Sequence, residues 1–258
     1  MTYLKDKLRK CEPVAGTHVF LKDPCITELL ASLGYDFIWI DTEHTAIDYA
    51  ILETHLIAGT AGGTSTLVRV PWNDPIFVKR ILEMGPTGII FPAINTAQEL
   101  QKAMESTLYP PYGIRGFGPM RALRYGIDDV SKFIENSNKN LVRCIQIESK
   151  TAVNNLEEMV KNRYVDCFMF GPCDLSGSIG ELGNPLGKNT SDLIDKAVAI
   201  LKSSGKSFGV SGADWDPEII QYWHDKGMIV LSMGIDYFHL LKGAKDELEN
   251  IRRIQGSK

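Results

Sequence analysis

The strongest constraint on this chain is a rhythm. Eight short, mostly apolar runs recur along its 258 residues, and most pass directly into a helix-start signal. The runs are Val14–Leu21, Phe37–Ile40, Thr66–Val70, Gly88–Phe91, Leu141–Ile147, Val165–Phe170, Phe208–Val210 and Met228–Leu231. Near-continuous apolar runs of this length suit strands covered on both faces, as in a parallel sheet. Between them, Pro24 opens a helix and Asp48 and Thr96 cap two more. Asn73-Asp74-Pro75 and Asp216-Pro217 each set an Asp cap before a Pro at the first helical position. Eight strands alternating with helices over ~250 residues is the count of a (β/α)8 TIM barrel, an α/β fold. The alternative is a doubly wound sheet. That fold would place a glycine-rich nucleotide fingerprint after the first strand, and Leu21-Lys22-Asp23-Pro24 is not one.

The rhythm breaks in three places. Residues 4–10 read as a short charged helix lying outside the core, within an N-terminal extension of residues 1–13. Residues 108–140 form a long loop with a Pro/Gly-rich stretch, Tyr109–Gly116, and one helix near 128–137. Loops of this length inside a compact domain are usually functional. Gly171–Asn189 is a second irregular stretch, with five glycines. No linker or internal repeat is visible, so residues 1–258 are expected to form one barrel domain.

Composition narrows the partners. A hydrophobic fraction of 44% is ordinary for a globular chain and enough for a core. The net charge of −4, with no basic block, argues against a nucleic-acid partner. The 5 cysteines are odd in number and lack C-x-x-C spacing, which fits free thiols in a reducing compartment. The N-terminus shows no leader-like apolar segment, and no run nears the ~20 apolar residues a membrane helix needs. A cytoplasmic protein without a membrane partner is expected.

In a barrel, chemistry gathers where the strands end. Asp41, Glu43 and His44 follow the second strand, Arg69 ends the third, Glu148 follows the fifth and Asp174 the sixth. Gln146 and Glu148 are two apart, so they point to one side of their strand. Taken singly, Glu148 and Asp174 read equally as helix caps or first-turn acids. Together on adjacent strands, with no run of Lys beside them, they favour a shared divalent cation. All-oxygen ligation suits Mg2+ or Mn2+, with Co2+ as a further option. His44 is a general-base candidate or a hydrogen-bonded loop histidine. Arg69 in an apolar strand needs an anion or a carbonyl to meet. His18 reads as structural or pocket-lining. No strand ends in Lys, so a Schiff-base route lacks its amine. The set suits stabilising an enolate.

These residues resemble the HpcH/HpaI family of metal-dependent 2-oxo-acid aldolases, over about residues 4–250. The matching motifs are Gly34-Tyr35-Asp36 leading to Asp41-Thr42-Glu43-His44, then Val68-Arg69-Val70-Pro71-Trp72-Asn73-Asp74-Pro75. The Tyr109–Gly116 loop, Gln146-Ile147-Glu148 and Gly171-Pro172-Cys173-Asp174-Leu175-Ser176 complete them. The resemblance implies a barrel whose last helix swaps between subunits, giving dimers that assemble into hexamers. It implies a metal on Glu148 and Asp174 that chelates pyruvate. Backbone N–H groups of the Gly171–Asp174 loop, from Cys173 and Asp174, would cradle the pyruvate carboxylate. Arg69 would stabilise the enolate oxygen. His44, oriented by Asp41, would act with metal-bound water in proton transfer, and Gln146 would line the site. Phe117, from a neighbouring subunit, and Ser211 would shape the aldehyde pocket. Three positions depart from the family pattern: Glu83 stands where Asp is usual, His18 where an aromatic is frequent, and Ser211 where a more apolar type is usual.

The expected activity is therefore that of a class II aldolase, a carbon–carbon lyase. It would cleave a 4-hydroxy-2-oxo acid reversibly to pyruvate and an aldehyde. Decarboxylation of a 2-oxo acid such as oxaloacetate is the alternative, because one metal enolate serves both. A CoA-ester lyase and a non-catalytic binding barrel fit less well.

Overall fold

A computed structural model describes residues 3–213 and 216–256. The first two and last two residues of the chain therefore lie outside the description. Eight strands, β1 to β8, close into a barrel in sequence order: Val14–Val19, Phe37–Asp41, Ser65–Arg69, Gly88–Phe91, Val142–Ile147, Cys167–Phe170, Ser207–Gly212 and Val230–Ile235. Every neighbouring pair is parallel, including the closing pair β1–β8. The expected (β/α)8 barrel is therefore the fold observed.

The helices begin where the caps predict. α2 (Pro24–Ala31), α3 (Tyr49–Ala61) and α4 (Pro75–Glu83) follow Asp23, Asp48 and Asp74, each of whose carboxylates accepts a first-turn N–H. α5 (Ala97–Thr107) starts with a reciprocal capping box between Thr96 and Glu99. The long loop carries a 3-10 turn at Arg121–Gly126 and then α6 (Val130–Asn140). The helix expected near 152–161 is split at Asn155 into α7 (Lys150–Asn154) and α8 (Leu156–Met159). The stretch read as irregular after Gly171 opens with a short helix, α9 (Pro172–Gly177). α10 (Lys188–Ser204), α11 (Pro217–Asp225) and α12 (Asp236–Gln255) follow. Among the described residues, no helix is long and apolar enough to cross a membrane.

The first helix corrects the sequence reading. α1 (Tyr3–Arg9) does not lie outside the core. Leu4 and Leu8 pack inside the barrel against Phe37, Trp39, Cys144 and Met169, closing its N-terminal end. Lys5 is buried with them, and its ammonium reaches the Asp166 carboxylate at 2.7 Å and the Leu141 carbonyl at 2.6 Å. Local charge gave no hint of this burial, because the partner of Lys5 is 161 residues away.

The lumen follows from a period of two along each strand. On β2, Phe37 and Trp39 point inward while Ile38 and Ile40 pack outward under the helices. The same parity sends Leu67, Val142, Cys144, Cys167 and Met169 inward. Phe37 fills so much of the axis that a Cβ on Gly16 would lie 2.3 Å from its ring. One more step of two along each strand brings the lining to the C-terminal rim, where its chemistry changes.

Candidate active site

That step delivers Asp41 after Trp39, Arg69 after Leu67, Gln146 after Cys144, Gly171 after Met169, and then Glu148. The guanidinium of Arg69 is buried and is the hub of the group. It donates to the Asp41 carboxylate in a short contact, lies 2.9 Å from Glu43 Oε2 and reaches Gln146 Oε1 at 3.5 Å. Its carbon stands 5.4 Å from the Trp39 ring centre, a cation–π distance. The Nε–H of Arg69 is buried without a hydrogen-bond partner among the described residues. Such a donor costs free energy unless a ligand oxygen meets it.

Glu148 is held from two sides. Gln146 Nε2 donates to Oε1 at 2.6 Å, and the backbone N–H of Ala93 donates to Oε2 at 2.9 Å. Ala93 adopts φ +54° to aim that N–H. Gly171 leaves room for the carboxylate, since a Cβ there would lie 2.8 Å from Glu148 Oε1. Asp174 lies in the first turn of α9, exposed. The first helical bond of α9 runs from Leu175 N–H to Gly171 C=O, which leaves the N–H groups of Cys173 and Asp174 without an intrahelical partner.

The electrostatics favour a cation. Burial pushes the Glu148 carboxyl up to about 7; the Ala93 N–H and Arg69 oppose this, while Glu43 and Asp174 add to it. Burial likewise pushes Glu43 up to about 7; Arg69 opposes this, while Asp41 and Asp174 add to it. Three carboxylates, those of Asp41, Glu43 and Glu148, thus share one guanidinium, and Asp174 adds negative charge beside them. Among the described residues, no three His, Cys, Asp or Glu side chains gather as a complete metal cage. Two carboxylates with remaining positions left to water and substrate oxygens are, however, what a hard divalent ion takes. The oxygen-only donors and the unfavourable charge on Glu148 fit such an ion.

The other expected residues are placed unevenly. His44 sits at the rim with its side chain 57% exposed, and its Nε2 is 3.6 Å from Glu43 Oε2. Asp41 meets His44 through the main chain, not the ring: Asp41 Oδ1 accepts the N–H groups of Glu43 at 2.8 Å and His44 at 2.9 Å. Ser211 is brought to the rim, 3.0 Å from His18 Nε2. Phe117 is not brought to the site of its own chain; it is exposed and stacks near Tyr109 at 5.7 Å between ring centres. Glu83 also faces away from the cluster, beside Gly118.

Sequence reasoning gave Glu43 no role, although the run Asp41-Thr42-Glu43-His44 carried the signal. Ala93 had no signal at all, because it contributes only a backbone N–H.

A family model described as HpcH/HpaI aldolase/citrate lyase matches residues 15–242. A "4-hydroxy-2-oxo-heptane-1,7-dioate aldolase" of Klebsiella pneumoniae is 31% identical over 241 residues, covering 93% of this chain and 90% of that protein. The crystal structure of a family member from Burkholderia cenocepacia superposes with a TM-score of 0.92 at 29% identity, covering 98% of this chain and all of the other. An HpcH/HpaI aldolase from Desulfitobacterium hafniense superposes at 0.89 with 25% identity, covering 98% of this chain and 97% of the other. The chain belongs to the HpcH/HpaI aldolase/citrate lyase family and is an aldolase-type carbon–carbon lyase.

Proposed function

We propose that this enzyme cleaves a 4-hydroxy-2-oxo acid reversibly to pyruvate and an aldehyde. One observation carries the reading: Arg69, with a buried Nε–H that has no partner, stands beside a Glu148 carboxylate held by Gln146 and Ala93. A donor waiting for an oxygen next to a carboxylate waiting for a cation suits a 2-oxo acid, whose keto oxygen and carboxylate need both. The name of the Klebsiella relative supports the same substrate half.

Cleavage breaks the C3–C4 bond. The C4 hydroxyl loses its proton, the bonding pair moves to C3 and the C2 oxygen, and C3 of the enolate is then protonated. A divalent ion on Glu148 and Asp174, Mg2+ or Mn2+ with Co2+ as a further option, would supply Lewis acidity toward the carboxylate and keto oxygens. Arg69 donates to the oxygen on which charge develops. Asp41 and Glu43 fix the guanidinium in place. The N–H groups of Cys173 and Asp174 receive the substrate carboxylate, above the gap kept by Gly171. His44 moves the proton at the C4 oxygen.

We also infer a homo-oligomer in which α12 packs on another copy, in dimers that assemble further. Among the 20 residues of α12, Asp236 is the one buried, while Tyr237, Leu240, Leu241, Leu248, Ile251 and Ile254 are exposed. An apolar face of this extent supports a partner.

The test is exchange of the pyruvate methyl protons in D2O. Exchange should require Mn2+ or Mg2+, stop with EDTA and return on adding metal. EDTA-resistant activity that borohydride traps would mean a Schiff base and sink the reading. Release of CO2 from oxaloacetate, with no joining of pyruvate to any aldehyde, would make the enzyme a decarboxylase.

A further inference from the structure

His18 is fully inside the barrel and belongs to none of the roles above. Its Nδ1 lies 2.8 Å from the Gly234 carbonyl, a group that only accepts. Nδ1 therefore carries the proton. Burial, with Arg69 nearby, holds the ring's pKa down to about 4, although the Gly234 bond and Asp41 oppose this. The ring is neutral at pH 7, and Nε2 is a bare lone pair. Two hydroxyls face it: Ser211 Oγ at 3.0 Å and Ser232 Oγ at 3.3 Å. Ser211 is the nearer and the less buried of the two. Its strand register, with Val210 opposite Phe170, sets it level with Gly171 beside the Glu148 gap.

A hydroxyl has one proton and two lone pairs. With its proton directed at His18, Ser211 shows only lone pairs to the space above Gly171. We propose that His18 is a positioning residue that makes Ser211 an acceptor, so that the pocket prefers aldehydes bearing a hydroxyl over aldehydes bearing a carboxylate. A hydroxyaldehyde can donate to those lone pairs, whereas a carboxylate is itself acceptor-only and is repelled. The charge around the pocket acts in the same direction. Arg69 is the one cation in the described cluster and is already engaged by Asp41 and Glu43. No second cation of the cluster is left to clamp a distal carboxylate.

The inference rests on the aldolase reading and deepens it by naming the aldehyde class. The experiment measures kcat/KM for addition of pyruvate to glyceraldehyde and to 4-oxobutanoate, using the Mn2+-loaded wild type and three variants. Wild type should favour glyceraldehyde. His18→Phe keeps an aromatic ring but removes the acceptor, which frees the Ser211 proton. It should shift the ratio about tenfold toward 4-oxobutanoate, mainly through KM. His18→Gln offers an amide oxygen near the Nε2 position and should restore the ratio. Ser211→Ala should lose the glyceraldehyde preference, and it still tests the proposal if the Phe variant fails to fold. A ratio within twofold of wild type in Ser211→Ala, or a wild type that favours 4-oxobutanoate, overturns the proposal. Methyl exchange by the wild type separates the two failures. Its absence sinks the aldolase reading itself, whereas exchange with an unmoved ratio sinks only the role of His18.

Discussion

The lower and upper halves of the barrel lumen are built from the same strands with the same period of two, yet they do opposite work. Below lie Phe37, Leu67, Val142 and Cys167, capped by Leu4 and Leu8 of α1. Above lie His18, Asp41, Arg69, Gln146 and Glu148. Burial in the lower half stabilises the fold at ~25 cal/mol per Å2 of apolar surface. Burial in the upper half strains it, since desolvation raises the pKa of Glu43 and Glu148 and lowers that of His18. The apolar floor positions groups that would not remain buried together unaided.

The sharpest way to break this contrast is Arg69→Ala. It removes the donor proposed for the developing enolate and should slow pyruvate methyl exchange about 10³-fold. Exchange at the native rate would remove Arg69 from its assigned role. Next in size is a floor substitution. Phe37→Ala opens a cavity in a fully packed layer and should cost about 3–5 kcal/mol in urea unfolding. Turnover per folded molecule should be unchanged; a loss of turnover without a loss of stability would show that the halves are not separable.

Acid provides a milder test. The pKa of His18 is lowered from 6.5 to about 4 in the folded chain, so the unfolded chain binds this proton first as pH falls. Its contribution is complete above pH 6.5 and is lost down to about pH 4, with a full span of roughly 3 kcal/mol. His18→Phe should flatten this part of the stability–pH profile, and an unchanged slope would mean that the ring is not held neutral. The smallest effect is expected from Gly171→Ala. The added Cβ would crowd Glu148 Oε1 and weaken Mn2+ binding roughly tenfold to a hundredfold. Calorimetric titration reads this directly, and unchanged affinity would detach Gly171 from the proposed metal site.

Much of this was legible beforehand because it is local. Asp and Thr caps and Asp-Pro pairs start helices within four residues, so α2, α3, α4, α5 and α11 begin where they were read. Strand ends that carry Asp41, Arg69, Glu148 and Asp174 name a rim once eight strands are counted. The end of β1 was less legible. It stops at Val19, two residues short of the expected end, because the next N–H groups, those of Phe20 and Leu21, turn to the Asp236 carboxylate some 216 residues away. β8 continues to Ile235, past Ser232 and Gly234, which interrupt the apolar pattern.

The sequence by itself determined the barrel and its acidic rim, because period, capping and strand-end chemistry act over a few residues. Tertiary structure alone decided three things: that α1 plugs the floor, that Asp41 grips the backbone of His44 while pairing with Arg69, and that His18 of β1 meets Ser211 of β7 and Ser232 of β8. Each depends on groups brought together by closure of the barrel. No local preference records which distant side chain will stand opposite once that ring closes.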